Sequence, residues 1–534
     1  MDEDKQRVYI LPENVSRTMG RDAQRNNIMA AKVVADIIKT TLGPKGMDKM
    51  LVDSSGNIIV TNDGVTILEE MEIDHPAAKM MVEIAKTQEA EVGDGTTTVA
   101  LLAGKFLEKA EKLLDRKIHP TVIVKGYRLA TEKAISVLND IAIPVQNSTV
   151  LKQIAMTAMT GKGAEGNKEK LSDLIVLAVN QVAVGKSIDL GDIKIQKLKG
   201  ESTNESEIIQ GIVIDKERAN ADMPSKIEGA RILLVDFSLE LKNPETEAKI
   251  SVSTPEQLES FIASEERYLK NMTDKIISSG ANVIFCQKGI DDVAQYYLAK
   301  AGIFAVRRVA KSDLEQIAKA TSGKIISNLK DINANQFGKA HVVEEIKKGE
   351  DSLTYIRGCG NPRAVTIVVK GNTSHVIDEI ERAVKDGLGD VVSAVKSGKV
   401  VAGGGAVEIE LSKRLKAFAK TFSGREQLAI EEFANSLESI PEALAENAGA
   451  DPIEIITELK RRHEEGLVNY GINLFNDKIE DTFAAGILEP LKVKTQAISS
   501  ASEVAQMILR IDDVLISRSS GGPKMPQNPY EGMD

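Results

Sequence analysis

Two short glycine-bearing segments constrain this chain more than anything else in it: Thr41-Leu42-Gly43-Pro44-Lys45-Gly46 and Gly93-Asp94-Gly95-Thr96-Thr97-Thr98, with an isolated Asn62-Asp63-Gly64 turn between them. Glycine lets the main chain approach an oxyanion closely because no Cβ stands in the way. The second segment runs straight into a helical pattern, so unpaired N–H groups and the positive end of a helix dipole would face a phosphate. Asp94 offers the oxygen ligand that a phosphate-bound magnesium takes, and the hydroxyls of Thr96, Thr97 and Thr98 suit phosphate oxygens or the metal's waters. Together the segments point to a nucleotide site. No Gly-x-x-x-x-Gly-Lys-Ser/Thr run occurs, which disfavours a P-loop enzyme.

A chain of 534 residues is too long for one core, and two to four domains are expected. The net charge of -11 argues against nucleic acid as a main partner, and with 4% aromatic residues and no Trp there is little to stack on bases. The start, Met1 to Arg7, is polar, and no run of eighteen apolar residues occurs, so a cytoplasmic protein without a membrane span is expected. Cys286 and Cys359 fit neither a zinc motif nor a disulfide framework and read as reduced and buried. His75, His119, His341, His375 and His463 have no metal spacing and read as structural or solvated.

From Asp22 to about Val145 the pattern is mostly helical. Ile28, Val33, Val34, Ile37, Ile38 and Leu42 recur at helical spacing until Gly43-Pro44 stops them, and Leu101, Leu102, Phe106, Leu107, Ala110 and Leu113 stripe a second helix. Leu51-Val52-Asp53 and Ile58 to Thr61 flank Ser54-Ser55-Gly56-Asn57 as a hairpin that delivers Asp63 to its turn. Between about 215 and 366, short apolar runs alternate with helices: Arg231 to Phe237, Asn282 to Gln287, Ile303 to Val309, Lys324 to Ser327 and Ala364 to Lys370. This alternation predicts an inserted α/β domain. Thr254-Pro255-Glu256-Gln257 starts a helix there that runs to Ser278, with Leu258, Phe261, Ile262, Leu269, Met272 and Ile276 as an apolar stripe. The ordinary reading of such a stripe is packing on the domain's own sheet. After Gly371 the chain reads as helical to about Arg510, followed by a last strand, Asp513 to Ser517, and a Gly/Pro/Asn-rich tail from Gly521.

Nucleotide hydrolysis needs a metal ligand, phosphate clamps and a group that orients the attacking water. Asp94 and the three threonines cover the first two. For the water the residues offer Asp63 and one of Asp378, Glu379, Glu381, Asp386 and Asp390, among which the pattern alone does not choose. Val400-Val401-Ala402-Gly403-Gly404-Gly405 precedes a helix and reads as a plain loop or as a close approach to a ribose or phosphate.

Thr41 to Gly46, Val60 to Leu68, Glu91 to Thr98, Val401 to Gly405 and Gly486 to Lys494 resemble the signature segments of the chaperonins. Met19 to Gln24, Gly43 to Asp53, His75 to Lys79 and Arg510 to Asp513 resemble the group II branch, that of the archaeal thermosome and the eukaryotic cytosolic chaperonin, in order along essentially the whole chain. The resemblance implies a multidomain α+β protein. A mostly helical equatorial domain spans 1–145 and 404–520, an α/β intermediate hinge domain 146–214 and 367–403, and an inserted α/β apical domain 215–366. The apical domain carries a helical lid protrusion at about 241–278, and 521–534 is a disordered tail. It also implies an ATPase chaperone with ATP and Mg2+ as cofactors, assembled as two rings of identical or sister subunits that bind and enclose non-native polypeptides. Part of the stripe through Leu258, Phe261 and Ile262 would then meet lid segments or substrate. The hairpin and the terminal strands would pair between neighbouring subunits.

By the same resemblance, Asp386 falls at the hydrolytic aspartate, Asp63 at a second one near the γ-phosphate, and Asp94 at the magnesium ligand. Thr41, Leu42, Gly43, Pro44, Gly95, Thr96, Thr97 and Thr98 match the phosphate loops, while Gly404, Gly405, Asn473 and Glu489 match the ribose and adenine positions. Lys162, in Thr160-Gly161-Lys162-Gly163, matches a lysine that senses the γ-phosphate. The chain departs from the pattern in its tail, which lacks Gly-Gly-Met repeats, and in Lys385-Asp386-Gly387-Leu388-Gly389-Asp390, where glycine replaces helix formers and predicts a looser helix at about 1 kcal/mol per glycine. Two other readings compete: an ATP-binding ring scaffold with an architectural or membrane-edge role, against which Asp63, Asp94 and Asp386 all argue, and a metabolic kinase, for which no acceptor motif exists.

Overall fold

The computed structural model describes residues 15–52, 56, 58–185, 187–200, 202, 205–241, 254–348, 351–360 and 362–517. Residues 242–253 of the expected protrusion and the expected tail (521–534) lie outside the described residues. Helix and strand are both abundant, giving the α+β class expected. The chain divides into two compact units, one built from both chain ends (up to Ile143 and from Val401) and one running from Pro144 to Val400 and taking in Leu488–Pro490.

The first unit is helical. At its centre the helix Thr96–Asp115 buries Val99, Leu101, Leu102, Phe106, Leu107, Ala110 and Leu113. It packs against the helices Gly20–Lys39, Pro76–Val92, Glu426–Leu437 and Leu491–Leu509. A Cβ on Gly104 would sit 2.4 Å from the Ala35 Cβ, so the first of these contacts is a glycine-on-alanine approach that a larger residue would pry open. Phe106 stacks on Phe433 at 4.2 Å between ring centroids, and the Tyr127 hydroxyl donates to the Phe106 carbonyl at 2.7 Å. Burying each such side chain contributes about 1.5–3 kcal/mol. His75 and His119 each stand before a proline and accept, through Nδ1, the N–H two residues on, so both cap helices, while His463 is buried. These are structural roles, as read.

Three two-stranded ribbons are described in this unit, one of them Tyr470–Asn473 with Lys478–Asp481. Val15–Met19 pairs antiparallel with Asp513–Ser517, Val15 opposite Ser517, locked by Arg17 and Asp513. Lys49–Val52 pairs with Ile58–Thr61, the expected hairpin. Met50, Val52, Ile58 and Val60 on the hairpin, and Leu515 and Ile516 on the terminal ribbon, are exposed, so both ribbons combine open edges with apolar surface.

Among the described residues, two sheets lie wholly within the second unit. The larger orders Phe304–Val306, Val283–Cys286, Lys226–Val235, Gly338–Lys348, Asp351–Arg357 and Gly211–Ile214, with Ile325–Ile326 pairing beside Lys226–Val235. Its first strands are parallel and its last three join antiparallel. Gly338–Lys348 and Asp351–Arg357 were not foreseen from the sequence. The smaller sheet sets Val365–Gly371 between Ile193–Lys199 and Glu207–Ile209. Ala364 to Lys370, grouped by its alternation with the inserted domain, therefore belongs to a different sheet, and Gly211–Ile214 belongs to the larger one. Cys286 and Cys359 are free and buried, and burial pushes each thiol up to about 11.

The helix Pro255–Ser278 has the expected bounds, and Thr254 Oγ1 accepts the Gln257 N–H. Its stripe divides: Leu269, Met272 and Ile276 are buried in the unit's core, whereas Phe261 and Ile262 are exposed. The side chain of Leu258 lies outside the described residues. The helix Ser374–Ser397 is continuous through Gly387 and Gly389, both buried. A Cβ on Gly387 would lie 2.8 Å from Ile175 Cδ1 and 3.6 Å from Met159 Cγ. Close helix packing, and not looseness, explains that glycine. Among the described residues no helix is long and apolar enough to cross a membrane.

Candidate functional site

In the first unit the glycine segments converge on a shared frame. The helix Thr96–Asp115 starts at Gly95, whose φ of +81° suits glycine, and no side chain caps it. Its first N–H groups lack intrahelical acceptors, as at any helix start, and remain open to an anion. Asp63 opens the helix Gly64–Glu70: its Oδ2 accepts the Thr66 N–H at 2.9 Å and the Thr66 hydroxyl at 2.7 Å. Its other oxygen, Oδ1, faces the Thr96 hydroxyl at 3.5 Å. A Cβ on Gly64 would lie 2.7 Å from Thr97 Oγ1. The Asp63-Gly64 turn thus sits directly against the start of the Thr96 helix, and Asp63 is both a cap and a neighbour of the threonines.

Two further loops meet on the helix Ser439–Asn447. Gly43, at φ +84°, has no room for a Cβ beside Leu444, and Gly405, at φ +79°, has none beside Pro441, one turn earlier on the same helix. Asn447 Nδ2 donates to the carbonyls of Lys39 and Leu42 at 3.0 and 2.8 Å and fixes the first segment, while Thr41 turns its hydroxyl back to Ile38. Pro44 follows Gly43 in the same turn. Gly405 opens the helix Ala406–Ala419. Gly404 accepts from the Ile472 N–H at 2.8 Å, which places the glycine loop beside the strand Tyr470–Asn473. Asn473 itself is tied locally, donating to Glu480 and accepting the Phe475 N–H.

In the second unit Lys162 Nζ meets Asp386 Oδ2 at 2.5 Å, with both side chains mostly buried. The loop carrying Lys162 is pinned to the same helix, because Glu379 Oε1 accepts the Gly163 N–H at 3.0 Å. Of the other acids that competed with Asp386, Asp378 and Glu381 pair with Lys197, and Glu381 also pairs with Lys385. Burial pushes the Glu381 carboxyl up, but Lys385 and Lys197 outweigh it and hold the group below its ordinary value. Asp390 is buried inside the helix packing. Glu489 lies in the strand Leu488–Pro490 of this unit.

The residues fit a nucleotide. Uncapped helix N–H groups and three threonine hydroxyls at one helix start are what a polyphosphate requires, and the tightly packed glycine turns hold the neighbouring backbone in place. Asp94 would take the magnesium, an ion commonly held by one carboxylate together with phosphate oxygens.

The TCP-1/cpn60 chaperonin family model matches residues 34–519. This chain belongs to that family. The chaperonin is 54% identical to a thermosome subunit of Methanopyrus kandleri, over 96% of each chain. It is 53% identical to thermosome subunit beta of Archaeoglobus fulgidus, over 98% of this chain and 99% of that one, and 52% identical to thermosome subunit beta of Methanothermobacter thermautotrophicus, over 100% and 99%. These similarities set the chaperonin with the archaeal subunits of group II. Sequence reasoning missed Gln88, Leu444 and Asn447, which shape the loops. Each is a single residue on a helix, with no motif to mark it.

Proposed function

We propose that the chain is an ATP-driven chaperone subunit of a two-ring, thermosome-like assembly of identical or sister subunits, working in the cytoplasm on non-native polypeptides. The observation that carries the reading is the uncapped start of the Thr96 helix with Asp63 against it. The helical unit serves as the equatorial domain (1–145 and 404–520). The smaller sheet and its helices serve as the intermediate domain, and the larger sheet, from Gly211 to before Val365, as the apical domain with its protrusion at about 241–278.

When bound, ATP supplies the phosphoanhydride bond and Mg2+ neutralises the charge that develops on its oxygens. Gly43, Pro44, Gly95, Thr96, Thr97 and Thr98 hold the phosphates, Asp94 the metal, and Gly404, Gly405, Asn473 and Glu489 the nucleoside, with Thr41 and Leu42 shaping the first loop. Asp386 would act on the attacking water as the hydrolytic aspartate, with Asp63 as a second aspartate for the γ-phosphate. Lys162, which pairs with Asp386 Oδ2, would be the residue that senses the terminal phosphate. Closure follows as a population shift, since ATP drives only the state it binds better. The exposed Phe261 and Ile262 serve lid or substrate contact.

The test is Asp386→Ala in the purified protein, read by ATP turnover and by electron microscopy with ATP and aluminium fluoride. Turnover should vanish while double rings persist. Unchanged turnover would overturn the role of Asp386, and monomers from the parent chain would overturn the ring.

A further inference from the structure

Gln88, Glu408 and Lys494 form, we propose, a buried brace that holds the phosphate loop at Asp94-Gly95 and the glycine loop at Gly404-Gly405 in register, making them positioning residues for nucleotide binding. The inference rests on the nucleotide reading above. Gln88 is fully buried in the helix Pro76–Val92. Its Nε2 donates to the Asp94 carbonyl at 2.9 Å and to the Val493 carbonyl at 3.3 Å. A Cβ on Gly95 would lie 2.9 Å from the same nitrogen and 3.0 Å from Val493 Cγ1, so the loop is also wedged sterically between them.

The next residue continues the chain of contacts. Lys494 Nζ lies 2.8 Å from Glu408 Oε1, and the two side chains are 6% and 2% exposed. Glu408 stands in the first turn of the helix that Gly405 opens. A carboxylate there complements the dipole of that helix end. One line of contacts therefore runs from Asp94 through Gln88, Val493, Lys494 and Glu408 to Gly405, all within the first unit.

Stability alone does not account for these residue types. A buried ion pair is often no more stabilising than a well-packed apolar pair of equal volume, and its attested benefit is a fixed register. Gln88 Oε1 and Glu408 Oε2 are, moreover, buried without a hydrogen-bond partner among the described residues, a penalty that an apolar core would avoid. Directional contacts at this place set where two loops stand, and packing alone would not.

The experiment uses the full-length assembly and two variants, Gln88→Met and the paired Glu408→Leu with Lys494→Met, both of which keep volume. Binding of a fluorescent N-methylanthraniloyl ADP and the steady-state kinetics of ATP hydrolysis are the readouts, with thermal unfolding alongside. Displaced loops should weaken ADP binding and raise KM about tenfold, with a much smaller fall in kcat and little change in melting temperature for the paired variant. Affinity within about twofold of the parent in Gln88→Met overturns the brace, and this variant decides alone if the paired one does not assemble. If the parent itself does not bind the ADP probe, the nucleotide reading has failed and the brace falls with it.

Discussion

Replacing Gly387 by alanine sets two effects against each other beside Asp386. Alanine in a helix interior gains about 1 kcal/mol over glycine. The new Cβ, however, would stand 2.8 Å from Ile175 Cδ1, and Ile175 is fully buried. Carbon atoms settle near 3.5–4.0 Å, so Ile175 must retreat by about 1 Å. Overpacking of this kind costs about 1–3 kcal/mol. The packing term wins, and Gly387→Ala should destabilise the helix Ser374–Ser397 by about 1 kcal/mol. Ile175→Val alone should cost about 1 kcal/mol by leaving a gap, but in the double variant the new methyl fills the space of the lost Cδ1. The pair should then lie close to the parent, with a coupling of about 1–2 kcal/mol. A chain of this size does not unfold in two states, so the assay is amide hydrogen exchange of the peptide spanning the helix, where 1 kcal/mol is about fivefold in protection. Higher protection in Gly387→Ala without the second substitution would refute the packing argument and return the glycine to a simple propensity defect.

Gly404→Ala should be more severe, because φ is +66° and the new Cβ would stand 2.5 Å from the Ile472 carbonyl oxygen, a backbone atom that cannot rotate away. The left-handed backbone alone costs about 1–2 kcal/mol, and loss of nucleotide binding with deprotection of Tyr470–Asn473 in hydrogen exchange is expected; normal ADP affinity would contradict it. Glu438 is half-buried, which pushes its carboxyl up, yet hydrogen bonds from Lys416, Lys460 and Ser412 outweigh this and hold it below the ordinary 4.5. Its contribution to stability is therefore complete above that value and is lost as pH falls below it. Glu438→Gln should flatten the acid branch of the melting-temperature profile below pH 4.5, and an unchanged slope there would rule the cluster out as its source.

Local signals were legible and long-range ones were not. Thr254-Pro255-Glu256-Gln257 announced its helix because cap, proline and polar third residue act within one turn, and the Leu51 to Thr61 hairpin was equally self-contained. Gly338–Lys348 and Asp351–Arg357 escaped because the first pairs with Lys226–Val235 and the second with Gly211–Ile214, each more than a hundred positions earlier. Gly387 misled for the same reason: its cause is Ile175, which no helical spacing reveals. At the candidate site the glycine and threonine segments were plain, since a glycine turn running into a helix start leaves a compositional mark. Gln88 left none, as its partner Val493 is 405 residues away. Among the acids of one helix no rival was separable by spacing, and in the fold Asp378 and Glu381 pair with Lys197 and Glu379 accepts the Gly163 N–H while Asp386 pairs with Lys162.

The pairing of Val15–Met19 with Asp513–Ser517 bears on how the chain is made. Arg17 and Asp513 are 496 residues apart, so the helical unit cannot close its terminal ribbon until almost the whole polypeptide has left the ribosome. The inserted unit waits for less, since all of it but the short strand Leu488–Pro490 has been made by Val400. Its own ends are already joined, with the Val145 N–H donating to the Gly398 carbonyl at 3.0 Å. Folding it first removes roughly half of the intervening loop and lowers the closure entropy by about 0.6 kcal/mol. The order of synthesis thus favours completing the insert while the N-terminal helices wait, with their apolar faces uncovered, for partners still to be translated. A protein proposed to shelter unfinished chains is itself an unfinished chain until its last strand, Asp513–Ser517, has been made.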